Sequence, residues 1–435
     1  MKWDSIKDNL TTKFKKLSKN DNKKYINDKN QIDWVDISNK VKRYRAFQIV
    51  SEAEGSKAIK EAIFYTAKNN SSSKSQHISP LTLKDNIKQW KKVNKYQEKV
   101  HLQDLLYFNI LDFVTDDETN GTHQVLKSHY ENEKSRYLIK HRPSQHIKYL
   151  TKSLLNFEKS SYNQNDEMKL ILKQSKTSIR QNHDDGDRST KKIIIKICKI
   201  YISLENEKYY LYEKNTNEST YTMIFLRPII ILIFKPLSNI FKFLWGEVSL
   251  QCKNESDNKI LTTTDRSASS SKVDGIIIDN VYNMEVGIIE VSGPNYKVNK
   301  VHYLEDKNKI AKNLRIIYKS IEVLKSTTSM MMMKDLKVYG IQVYLNELHV
   351  YSCRRAYSGH FVFNRELSID IPYKKSYIHG LPKFLSQLWT IKELFYNLHL
   401  SLTHIMNDQT SSESNCSSDS NESIVYTPFP KKQKI

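Results

Sequence analysis

The sequence predicts a mixed α/β fold in which helices pack on a small central sheet. Four short apolar runs have the length and composition of strands, at 273–278, 286–291, 337–345 and 348–354. A helical pattern separates the two pairs at 302–326, and another runs from about 381 to 405. Alternating strand pairs and long helices are typical of such a layered domain.

The apolar residues of 302–326 follow the spacing of one helix face. Ile310, Leu314, Ile317, Ile321 and Leu324 recur at intervals of four and three residues, which predicts a stripe facing the core. The same pattern predicts that the lysines between them stay outside, namely Lys307, Lys309, Lys312 and Lys319. Downstream, a tight turn is predicted at Asn346-Glu347, and 360–364 and 367–371 are expected to extend the sheet.

Upstream segments are predicted to be helical. In "HLQDLLYFNILDFV" (101–114), one face carries Leu102, Leu105, Leu106 and Ile110. The apolar segment 223–245 is interrupted by Arg227, Lys235 and Lys242. A membrane span needs about 20 continuous apolar residues. The segment therefore predicts a buried helix broken near its two prolines, with no membrane partner.

Composition divides the chain into four parts. Residues 1–80 are rich in lysine and asparagine and are expected to be partly disordered. Residues 81–190 are predicted to be mainly helical, with an unknown role. Residues 191–407 carry the α/β pattern, and the polar segment 408–435 is expected to be a disordered tail.

The chain is strongly basic, with a formal net charge of +21. Up to residue 245 it contains 45 Lys and Arg against 28 Asp and Glu. This balance favours an anionic partner such as nucleic acid or an anionic membrane. A compositional bias that spreads lysines over every surface is the alternative.

The basic C-terminus resembles a nuclear import signal. Lys431, Lys432 and Lys434 follow Pro430 at the end of the polar tail, a pattern that import receptors read. It predicts a nuclear protein, with a cytoplasmic location as the alternative, since short basic clusters are common in lysine-rich chains. The four cysteines are far apart, which indicates a reducing compartment and neither a disulfide framework nor a zinc site. The ten glycines form no phosphate-binding loop, and nothing supports a serine hydrolase.

Two acidic residues interrupt the first pair of predicted strands, Asp274 in "KVDG" and Glu290 in "GIIEVSG". Together with "WGE" (245–247) and "YLEDKNKIAK" (303–312), they resemble the core of the PD-(D/E)XK nuclease superfamily, as found in a group of fungal proteins. The resemblance covers about residues 200–405. It implies a restriction-endonuclease-like core with Mg²⁺ or Mn²⁺ as cofactor and DNA as the expected substrate. Asp274 and Glu290 would be catalytic metal ligands, with Glu247 as a supporting acid.

The resemblance departs from the family at one position. The lysine expected two residues after the second acid is replaced by Ser292, which carries no positive charge. Lys272 is the predicted substitute, because residues two apart on a strand share a face and Lys272 precedes Asp274 by two. Lys297, Lys300 and Lys309 also remain possible substitutes.

Each acid also has an ordinary structural explanation. Asp274 before Gly275 fits a strand start or a turn, Glu290 fits a salt bridge with a nearby lysine, and Glu247 fits an ordinary surface or capping role. Three hypotheses follow. The protein is a metal-dependent nuclease, a catalytically inactive relative that binds nucleic acid, or a nuclear protein-interaction module.

Overall fold

The computed structural model describes residues 78–94, 104–139, 141–155, 185–206, 216–258, 272–293, 297–324, 333, 335–356, 359–372 and 380–407. The chain divides into two units, residues 1–75 and 76–435, and all described residues belong to the second. The predictions for residues 1–75, for the tail 408–435 and for its basic signal lie outside the described residues.

A seven-stranded mixed sheet forms the centre of the described fold, which confirms the predicted mixed α/β class. The strands lie in the order β1-β7-β6-β5-β4-β3-β2. Their bounds are β1 Ile110–Asp112, β2 Phe241–Ser249, β3 Lys272–Asp279, β4 Met284–Val291, β5 Val338–Tyr344, β6 Glu347–Arg355 and β7 Phe361–Asp370.

Strand direction follows from the connections. β2, β3 and β4 form an antiparallel meander, as do β5, β6 and β7. A long helical crossover joins β4 to β5, so these two strands are parallel. The two predicted segments 360–364 and 367–371 form one continuous strand, β7. The turn between β5 and β6 lies at Leu345-Asn346, one residue earlier than predicted, with Leu345 at φ 54°.

Helices cover both faces of the sheet. α8, the crossover helix, packs against Gly340 through Ile310, whereas Phe395 of α9 packs against Gly287 on the opposite face. The helices are α1 Pro80–Asn94, α2 Gly121–Leu126, α3 Tyr130–Tyr137, α4 Gln145–Leu154, α5 Asp185–Asn206, α6 Glu218–Leu237, α7 Gln251–Asn258, α8 Lys300–Leu324 and α9 Leu381–Asn407.

The predicted apolar stripe of α8 is correct except at its end. The four isoleucine and leucine positions up to Ile321 are fully buried, but Leu324 in the last turn is 64% exposed. The prediction that the lysines stay outside is wrong for Lys307, which is 3% exposed, and holds only in part for Lys309, Lys312 and Lys319, which are half-buried. Lys307 is buried and Lys309 is partly covered because acidic side chains pair with them, which an apolar pattern alone does not reveal.

The helix predicted at 223–245 ends earlier and is preceded by a further turn. α6 starts at Glu218, includes a π turn at Thr222–Leu226 before Pro228, and gives way to β2 at Phe241. The π turn changes the hydrogen-bond register ahead of Pro228, so the helix continues through the proline. Among the described residues, α6 alone has the length and apolar composition of a membrane span, and 44% of its apolar window is buried inside the protein.

The prediction of a helix at 101–114 is wrong for the second half of this segment. A short 3-10 turn covers Leu105–Phe108, Asn109 adopts a left-handed conformation at φ 59°, and the chain then enters β1. β1 pairs in parallel with β7. The mainly helical region 81–190 therefore contributes an edge strand to the central sheet. The boundary predicted between residues 190 and 191 falls inside α5.

Gly287 is required where β4 meets β5. A Cβ at this position would lie 2.5 Å from the carbonyl oxygen of Tyr339 and 3.1 Å from the Phe395 ring. We therefore expect Gly287→Ala to lower the free energy of unfolding by about 1–3 kcal/mol, because backbone atoms must move. Gly380→Ala is the control, since among the described residues its Cβ would meet only Pro372, at 3.7 Å. Equal stability of the two variants in urea unfolding would contradict the expectation.

Candidate metal and catalytic site

Asp274 and Glu290 lie opposite each other on neighbouring strands. β3 and β4 pair with Gly275 against Ile289, and the next position outward in this register sets Asp274 against Glu290. Directly opposite residues of an antiparallel pair point to the same face. One carboxylate oxygen of Asp274 also accepts a hydrogen bond from the Val291 N–H at 2.7 Å. The sheet thus brings together the two acids that the sequence singled out.

Lys309 of α8 forms an ion pair with Glu290. Its Nζ lies 2.8 Å from Oε1 of Glu290 and donates to Oε2 at 3.0 Å. The side chain of Glu290 is 3% exposed and that of Lys309 is 28% exposed. The ion pair that the sequence offered as an ordinary explanation of Glu290 is therefore present, and Lys309 is the candidate lysine that reaches the acids.

Two further carboxylates lie near Asp274 and Glu290. Glu218, in the first turn of α6, accepts a hydrogen bond from the Gly293 N–H at 3.0 Å. Asp306, one turn before Lys309 on α8, lies 3.4 Å from His302. Sequence reasoning missed both acids. Glu218 follows Asn217, whose side chain caps the helix, and this cap was the one available signal of its position.

The environment of these four acids raises their pKa values and so disfavours their charged forms. Burial raises the pKa of Glu290 to about 8, although Lys309 acts in the opposite direction. Burial raises the pKa of Glu218 to about 7, with a contribution from the charge of Asp274. Burial likewise raises the pKa of Asp274 and of Asp306. The neighbouring cations therefore do not offset the cost of burying these four carboxylates in their charged form.

Ser292 belongs to a buried polar network and is 1% exposed. The side-chain amide of Gln342 donates to the Ser292 hydroxyl at 2.6 Å and to the Tyr303 carbonyl oxygen at 2.8 Å. The Tyr351 hydroxyl in turn donates to the Gln342 amide oxygen at 2.9 Å. This network joins β4 and β5 to the first turns of α8, the helix that carries Lys309.

Glu247 and Lys272 pair with each other at the surface. Glu247 lies on a bulge of β2 next to Gly246, whose φ is 101°, and accepts from Lys272 Nζ at 3.0 Å. Their side chains are 75% and 60% exposed, respectively. The structure therefore directs the predicted lysine towards Glu247, although the charge of Glu247 still contributes to the raised pKa of Asp274. The two remaining candidate lysines, Lys297 and Lys300, are exposed.

The donor set suits a hard divalent cation. Carboxylate oxygens are the ligands that Mg²⁺ prefers, and it commonly takes one or two of them together with waters. The facing pair supplies two, and burial raises the pKa of both groups by disfavouring the charged forms that a bound cation would stabilise. Across the parts of the chain that the structure describes, no three His, Cys, Asp or Glu side chains form a ready-made metal cage. The residues thus fit a two-carboxylate site.

The raised pKa of Glu290 predicts how stability depends on pH. Between its ordinary value of 4.5 and about 8, the folded protein keeps a proton that the unfolded chain releases. The free energy of unfolding therefore falls as pH rises through this window. We expect the free energy of unfolding of Glu290→Gln relative to the wild type, without metal, to increase from pH 5 to pH 8. Urea unfolding of both proteins between pH 5 and pH 8 measures this difference. Free energies of unfolding that change in parallel with pH would contradict the expectation.

No protein-family model, curated protein or solved structure matches this chain.

Proposed function

We propose that this protein is a metal-dependent phosphodiesterase that acts on nucleic acid, with DNA as the expected substrate. Its sheet would be a variant of the restriction-endonuclease-like core. The observation that carries the proposal is the facing pair of Asp274 and Glu290, with Lys309 bound to Glu290 and two more carboxylates beside them.

Each residue has a distinct role in the proposed site. Asp274 and Glu290 would hold Mg²⁺ or Mn²⁺, which when bound neutralises phosphate oxygens and lowers the pKa of a bound water. Lys309 would supply the positive charge that Ser292 lacks, since it approaches the same carboxylate from α8. The Val291 N–H orients Asp274, and the Ser292–Gln342 network holds the start of α8 against the sheet.

A catalytically inactive relative that binds nucleic acid is the second candidate. It is favoured by Ser292, which is buried against Gln342 and leaves no ammonium on the strand itself. It is also favoured by the absence of a three-residue metal cage from the described ranges. The nuclear protein-interaction module rests on the basic C-terminus alone.

Metal titration and a cleavage assay separate these candidates. Calorimetric titration of Mn²⁺ into the wild type should show one site that weakens at least about tenfold in Glu290→Gln, since a ligand is lost. Asp370→Asn is the control, because this carboxylate is 71% exposed and pairs with Lys383. Plasmid nicking that needs Mn²⁺ and disappears in Asp274→Asn would support the enzyme. Metal-independent DNA binding without nicking would favour the inactive relative, and a wild type that binds neither metal nor DNA would overturn both.

A further inference from the structure

Two neighbouring helices expose basic side chains that have no acidic partner among the described residues, and the acids of α5 itself, Asp185, Asp187 and Glu205, lie at its two ends. α4 packs against α5, and α5 also packs against α6. The segments 141–155 and 188–204, which contain most of α4 and α5, have eight Lys and Arg residues and no Asp or Glu.

The exposed charges of α5 form a single line. Arg188, Lys192, Lys196 and Lys199 are all exposed and follow intervals of four, four and three residues. At 1.5 Å per residue the line is about 16 Å long. One strand of a duplex places a phosphate every 3.4 Å along the helix axis, so the line spans roughly five phosphates. The opposite face of α5 is buried in the core, which fixes the line at the surface.

α4 continues the charged surface beside this line. Lys152 is exposed, Lys148 is partly exposed, and Tyr149 between them is 70% exposed. None of the six basic residues of this surface has an ion-pair partner within the described residues. We name Lys148, Lys152, Arg188, Lys192, Lys196 and Lys199 the α4–α5 basic surface.

The chemistry of this surface favours a nucleic-acid backbone over an anionic bilayer. A helix that lies on a membrane buries large apolar side chains among the lipids. Among the side chains that the structure describes, α5 exposes no large apolar residue and α4 exposes only Tyr149. A line of cations with one aromatic ring beside it is instead typical of a surface that contacts nucleic-acid phosphates and stacks a base on the ring.

We propose that the α4–α5 basic surface is a sequence-independent binding site for the phosphate backbone of nucleic acid. This inference rests on the proposed function, because it supplies the surface that holds the polymer on which the carboxylate site would act. The surface and that site lie in different layers. α8 covers one face of the sheet, whereas α4 packs on α9 at the other face. Binding and chemistry can therefore be tested separately.

The test compares two matched double variants of the full chain. Lys192→Gln with Lys196→Gln removes two charges from the surface at a four-residue spacing. Lys84→Gln with Lys88→Gln removes two exposed charges at the same spacing from α1. Binding to a labelled duplex is measured by fluorescence anisotropy in EDTA across a salt series, so that no cleavage occurs.

We expect the α5 variant to bind the duplex about tenfold more weakly at low salt, and its slope of log affinity against log salt to fall by about 2. The α1 variant should match the wild type. Equal behaviour of the two variants, or a wild type that does not bind the duplex, would overturn the inference. It would also be overturned if the α5 variant lost binding to phosphatidylserine vesicles and kept duplex binding. If the proposed function alone is wrong, the wild type will still bind the duplex in a salt-sensitive way but will show no metal-dependent nicking.

Discussion

Replacing Lys309 by methionine is expected to lower metal-dependent DNA cleavage by about 10²- to 10³-fold, the usual effect of removing one preorganised group that stabilises developing charge. Lys309 is the lysine that contacts Glu290, and its charge also acts on Asp274. Single-turnover rates at saturating Mn²⁺ measure the effect. Urea unfolding of the variant shows whether it remains folded.

Lys272→Met is the matched comparison, because it removes a lysine whose side chain is 60% exposed and pairs with Glu247. We expect its cleavage rate to stay within about twofold of the wild type, since exposed ion pairs contribute little. A larger loss of cleavage rate in Lys272→Met than in Lys309→Met would contradict the assignment of Lys309. It would favour Lys272, the lysine that strand periodicity predicts.

Replacing Lys307 by methionine is expected to lower the free energy of unfolding by about 3–5 kcal/mol. Lys307 Nζ lies 3.1 Å from Oδ2 of Asp112, and the two side chains are only 4% and 5% exposed. Asp112 also accepts hydrogen bonds from the backbone N–H groups of Val114 and Thr115. Without the ammonium, a charged carboxylate would remain buried next to α8.

A double-mutant cycle tests whether the loss arises from that stranded charge. Asp112→Asn combined with Lys307→Met should be more stable than Lys307→Met alone, because no unpaired charge remains. Lys383→Met is the control, since Lys383 and Asp370 lie 3.1 Å apart but are 66% and 71% exposed. It should change the free energy of unfolding by less than about 1 kcal/mol. Similar losses in the buried and exposed single variants would contradict the expectation.

The sequence predicts the fold best where a single periodicity dominates. β3, β4, α8 and α9 each follow one periodicity or apolar run over most of their length, and their positions are confirmed. The errors lie where a short local feature changes the backbone, as at Asn109 before β1 and at the π turn of α6. A left-handed residue or a π turn depends on a few local contacts, which the spacing of apolar residues does not record.

The candidate site is predictable in its strands and not in its helices. Asp274 and Glu290 could be found because strand pairing brings short segments together at a fixed register. Lys309, Glu218 and Asp306 come from two helices, whose approach to the strands depends on packing across the whole domain. Lys307 and Lys309 differ by two positions on one helix, yet one pairs with Asp112 and the other with Glu290.

The parallel pairing of β1 with β7 has a consequence for biosynthesis. Ile110 pairs with Phe361, so about 250 residues separate the partners. At a translation rate of about 5–20 residues per second, β1 leaves the ribosome roughly 10–50 s before its neighbour exists. For that interval the nascent segment has no native partner for its backbone, and chaperone protection there would matter more than for any other strand of the sheet.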